Sequence, residues 1–270
     1  MSLERGPLSE ASFAEFGERA VLFCHVTSRV DDDPYQDLLS EKGGPGFPYL
    51  VMMDEQGDLL AKHSLMEMPS LDTIGAMIDK SVDFMALKAK ADAGDKTAKI
   101  EVQLASIEMA TSYENGKKAF EAAQKLEGFD AVSKDRLMAV KQTLVDLEFN
   151  SVLEALPRTD NQEELIRTAG KQLVAMREAG KIPEGPMSLS FWGILMSYAE
   201  LNHDMKMLDG VVAEWMTHLD KDDPQQSRLI EMIQQRVAAA KEAHAGHDHD
   251  HDHGDGHEHG EGHEHGKGGK

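Results

Sequence analysis

The sequence predicts a chain of mixed class, α/β plus all-α. An α/β segment spans residues 1–80, an antiparallel stack of helical hairpins spans 81–243, and a disordered tail spans 244–270. Three observations predict it. Strand-length apolar runs flanked by Gly and Pro turns occur only in the first segment. In the second, apolar residues recur at helical spacing between short polar breaks. The tail contains only His, Gly, Asp, Glu, Lys and Ala, so it has nothing to build a core from.

The elements follow in order. Pro7-Leu8-Ser9-Glu10 opens a helix over about 9–18, with Phe13 and Phe16 three apart on one face. Ala-Val-Leu-Phe-Cys-His-Val over 20–26 reads as a buried strand. A polar loop over 27–33 ends in Asp31-Asp32-Asp33, and Asp33 caps a helix that Pro34 starts and that runs to about 42. Gly43, Gly44 and Gly46 make a tight turn, Tyr49 to Met53 a buried strand, and Asp54-Glu55-Gln56-Gly57-Asp58 a hairpin reversal into a second strand. A helix follows over about 70–80.

Beyond residue 80, breaks fall at 93–95, 112–116, 128–133, 157–161, 180–187, 202–204 and 220–224, giving seven or eight helices. The clearest apolar stripe is Met205, Leu208, Val211, Val212, Trp215, Met216 and Leu219. The last helix starts at Asp223-Pro224 and buries Leu229, Ile230, Ile233 and Val237.

Composition narrows the function classes. A net charge of -21 over 270 residues disfavours nucleic acid and anionic membrane as partners, since both need cationic patches. It suits cation binding and basic protein partners. No apolar run reaches the length of a membrane-spanning helix, and the first residues lack an apolar signal core. The expectation is a cytoplasmic protein, or an exported one if the true start lies upstream. One cysteine, Cys24, excludes a disulfide scaffold.

Gly46-Phe47-Pro48, an apolar strand, Asp-x-x-Gly and a second strand together resemble the second half of a thioredoxin fold, over about residues 8–80. The resemblance implies a structural cis-proline at Pro48. It does not bring the activity with it, because a Cys-x-x-Cys cannot be made from Cys24 alone. Either the first strand and redox turn lie upstream of Met1, or 20–26 is the strand before that turn and 27–33 replaces it. The first is favoured because 8–17 resembles the helix that follows a redox site. Over 81–243 the hairpin period of about 34–40 residues resembles a degenerate tetratricopeptide-like array. Trp192, Leu195, Leu208 and Val212, and Ile107, Ala110, Ala119 and Ala123, fall near its signature positions. That resemblance implies a protein partner on a concave surface.

The tail carries nine of the thirteen histidines: His244, His247, His249, His251, His253, His257, His259, His263 and His265. Neutral imidazole is a ligand for zinc, nickel and copper, and His-x-His spacing on a loose backbone lets neighbours converge on one ion. The interleaved Asp and Glu attract cations and complete a shell. The composition resembles the His-rich segments of nickel and zinc chaperones and does not select among Ni, Zn and Cu. The alternating acidic pattern is unlike a purification tag.

Other candidates have plainer explanations. Cys24 reads as a core cysteine beside a surface His25, with a reactive thiol as the alternative. His63, Met66 and Met68 make a soft-ligand set that suits Cu(I), but with 16 methionines in the chain a packing role suffices. Asp31 to Asp33 caps and solvates a loop or binds a hard cation. Trp192 and Trp215 read as core, or as the wall of a ligand groove. The glycines lack the Lys-Ser/Thr of a phosphate loop, and no catalytic constellation is present. The leading expectation is a non-catalytic accessory protein with a metal-holding tail. The alternatives are a thiol–disulfide oxidoreductase-type module whose Cys-x-x-Cys lies upstream, and a pure protein scaffold.

Overall fold

The computed structural model describes residues 7–24, 35–44, 46, 49–63 and 69–247. Two compact units emerge, Met1–Phe191 and Trp192–Lys270, with the division inside one helix. The architecture is mixed, one two-stranded antiparallel sheet and many helices among the described residues.

The first unit opens with 3-10 helices at Pro7–Ser9 and Ala11–Glu18 where the sequence predicts a helix. In a 3-10 helix residues three apart eclipse, and Phe13 meets Phe16 edge to face at 6.0 Å. The expected buried strand at 20–26 is overturned over its described residues. Among the described residues no strand forms over 21–24, Val21 is 95% exposed, and Cys24 is exposed rather than core. Strand composition alone does not make a strand, because an apolar run becomes one only when another segment satisfies its backbone groups. Helix α1 is one turn, Leu38–Glu41, shorter than expected. Residues 25–34, with His25, Asp33 and Pro34, lie outside the described residues.

The glycine turn forms as expected. Gly43 adopts φ +71°, and a Cβ there would lie 2.7 Å from Thr111 Cγ2, so both backbone and space require glycine. Strand β1, Val51–Met53, pairs with β2, Leu59–Lys62, in the register Val51↔Lys62 and Met52↔Ala61. Leu60 and Ala61 are buried, whereas β1 is only half-buried, because β2 is its one strand neighbour among the described residues.

Asp54 holds the reversal together. Its Oδ1 accepts from the amides of Gln56 (3.1 Å) and Asp58 (2.9 Å), and its Oδ2 accepts from Lys88 Nζ at 3.1 Å. Burial pushes this carboxyl up, but the two amides and Lys88 outweigh it and hold it below the ordinary carboxylate value. The stability so gained is present above the ordinary carboxylate pKa and is lost as pH falls through the depressed one. Asp54→Ala is expected to destabilise the first unit by about 1–2 kcal/mol, read as a lower urea midpoint at pH 7. An unchanged midpoint would show that the turn closes without it.

Helix α2 spans Leu71–Asp92, twelve residues beyond the expected end. Ser70 and Thr73 form a capping box at its start, and nothing before Ala93-Gly94-Asp95 stops it. Helices α3 (Lys96–Met109), α4 (Tyr113–Gln124), α5 (Lys134–Glu154) and α6 (Gln162–Glu178) follow. Each begins where a polar side chain caps it: Asp95, Ser112, Ser133 and Asn161. Ile100, Leu104, Ile107, Ala123 and Val140 form a core cluster with Phe120, Phe129 and Leu144 packed on it. Arg136 on α5 reaches Glu101 and Glu108 on α3, tying the two helices.

Helix α7, Pro186–Leu201, runs on from Phe191, which meets Phe149 edge to face in the first unit, into the second unit. There Trp192, Leu195, Met196 and Ala199 are fully buried. Helix α8 (Met205–Thr217) buries Leu208, Val211 and Trp215 along the expected stripe. Trp192 stacks on Trp215 at 6.4 Å and 16°, so the two tryptophans are core. Helix α9 is Pro224–His247. It buries Ile233 and half-buries Leu229, Ile230 and Val237. It also continues four residues into the stretch whose composition predicts disorder, so His244 and His247 stand on a helix.

Candidate functional site

The expected site residues scatter. Pro48, Met66, Met68, Asp31, Asp32 and the histidines from His249 to His265 lie outside the described residues. His63 is buried, and its Nε2 finds no hydrogen-bond partner among the described residues. Among those residues no group of three or more His, Cys, Asp or Glu side chains is gathered to hold a metal ion.

Two histidines do meet. His244 on α9 stacks against His203 with ring centroids 6.1 Å apart and planes 20° from parallel. They line an open pocket of about 360 Å³ with Glu200, Met205 and Arg236. Local chemistry explains how His203 gets there. It ends the turn after α7 with φ +53°, a left-handed conformation, and Asp204 then caps α8 through the Met207 amide at 2.8 Å. Arg236 is occupied: Nε donates to Glu200 Oε1 at 2.8 Å, and Nη2 donates to Glu200 Oε2 at 2.6 Å and to Ser197 Oγ at 2.8 Å. Sequence reasoning did not single out His203. Its only local signal is an Asn-His-Asp break, and its partner lies far along the chain.

The first unit offers a second surface. An open groove of about 600 Å³ is lined by Tyr113 of α4, by Met138, Leu144, Val145 and Glu148 of α5, and by Lys181 and Glu184 beyond α6. Met138 is 68% exposed at this face. Lys181 Nζ donates to both oxygens of Glu148, at 2.9 and 2.8 Å. That bond raises its ammonium above the ordinary lysine value against a smaller opposing effect of burial. Burial pushes the Asp146 carboxyl up, and hydrogen bonds from the Glu184 amide and the Gln142 side chain offset part of this. The groove thus joins apolar side chains to a neutralised ion pair.

The fold and these surfaces define a helix-rich body with one small hairpin and, among its described residues, no helix long and apolar enough to cross a membrane. No family model, no curated protein and no solved structure matches the chain.

Proposed function

We propose that the chain is a non-catalytic accessory protein that holds divalent transition metal ions, Ni, Zn or Cu, in its C-terminal tail. In this reading a thioredoxin-like hairpin segment without a working dithiol and a tetratricopeptide-like helical stack form the body, and the stack receives a protein partner. One observation carries it: nine of thirteen histidines fall between 244 and 265, most of them alternating with Asp, Glu or Gly. Imidazoles at that spacing chelate, and the carboxylates between them raise the local cation concentration.

The test is a titration of the full chain against a chromophoric chelator with Ni2+ or Zn2+. Exchanging the histidines from His249 to His265 for alanine is expected to remove most of the bound metal. Unchanged stoichiometry would sink the metal-holding role. The scaffold reading would seat the partner in the open α5 groove. It predicts a partner that stays bound after the same exchange and after chelation.

A further inference from the structure

We infer that His203 and His244 form a two-imidazole foot that fastens the first metal ion of the tail to the folded body. This rests on the metal-holding reading above and names a ligand, His203, that lies outside the tail. A zinc-bound imidazole nitrogen sits about 2.0–2.1 Å from the ion, which places the ring centroids of two ligands on one tetrahedral ion about 5 Å apart. The observed separation of 6.1 Å, with the planes 20° from parallel, is wider than that, so the rings must turn toward each other to share an ion. His203 is exposed and His244 half-buried, so ring rotation at His203 closes the difference.

The electrostatics agree. The neighbouring cation, Arg236, is held bidentate by Glu200, so its charge is neutralised where the ion would sit. The pocket is open, leaving coordination positions for water and for further imidazoles. His244 is also where the run of nine histidines begins, and the next, His247, lies one helical turn on.

A foot on the body has a consequence that tail-only binding lacks. Residues that cannot build a core bind metal alike in the folded and unfolded chain, and such binding leaves stability unchanged. A site spanning the α7–α8 turn and α9 exists only when the second unit is folded, so metal must stabilise it. The experiment compares melting of the full chain in excess NiCl2 and in EDTA, for wild type, His203→Asn and His244→Ala. Asparagine removes the imidazole and still accepts a positive φ, so the turn survives.

Wild type is expected to gain about 5 °C with Ni2+, and both variants to lose that gain while keeping most of their bound nickel. A gain of the same size in His203→Asn, or none in wild type that binds nickel, overturns the foot and leaves the tail reading standing. Wild type that binds no nickel overturns both.

Discussion

Trp192→Ala is expected to destabilise the second unit by about 3–5 kcal/mol, the range for truncating a fully buried large aromatic residue. Trp192 is fully buried, stacks on Trp215 at 6.4 Å and lies 5.9 Å from the His218 ring. Leu195, Met196, Leu208 and Val211 on α7 and α8 are themselves fully buried, so this core is close-packed and has little freedom to collapse into a void. The unit's core is short, and one aromatic is a large share of it. The melting temperature of this unit should fall by more than about 12 °C. Trp215 remains as the only other tryptophan, so its fluorescence reports unfolding in the variant. Trp192→Phe retains most of the apolar volume and should lose less than half as much. A loss below about 1 kcal/mol for the alanine variant would mean that the stacked pair is not the centre of this core.

How far the sequence foretold these features follows from how local each one is. The helix breaks were legible because caps act over three residues. Ser112, Ser133, Asn161 and Asp204 each accept an amide of their own first turn, and Gly94 and Gly128 take left-handed backbone. The hairpin was legible because Asp54 closes it from within, with both of its amide partners inside the turn. What failed was non-local. Val21 to Cys24 has strand composition, but strand formation depends on another segment offering an edge. The length of α2 was missed because nothing marks an end at Lys80, and a helix stops only at a stop signal. His203 was missed for the same reason: its meeting with His244 is made by the packing of α7, α8 and α9, not by spacing in the chain.

Metal uptake by the full chain should collapse between pH 7.5 and pH 5.5. Only neutral imidazole coordinates, so protons compete with the ion for the same nitrogen. With an ordinary histidine pKa of about 6.5, the neutral fraction falls about tenfold across this interval, and an ion held by two imidazoles loses about 100-fold in affinity. The Asp and Glu residues between the histidines are the competing ligands, and the pH profile separates the two cases. Carboxylates stay ionised down to about pH 4, so a carboxylate-held ion would survive at pH 5.5. Equilibrium dialysis against a fixed free concentration of Zn2+ at pH 7.5, 6.5 and 5.5 decides it. Retention of most bound zinc at pH 5.5 would move the ion off the histidines and onto the acidic residues, and with it would go the reason for treating the tail as a transition-metal carrier rather than a polyanion.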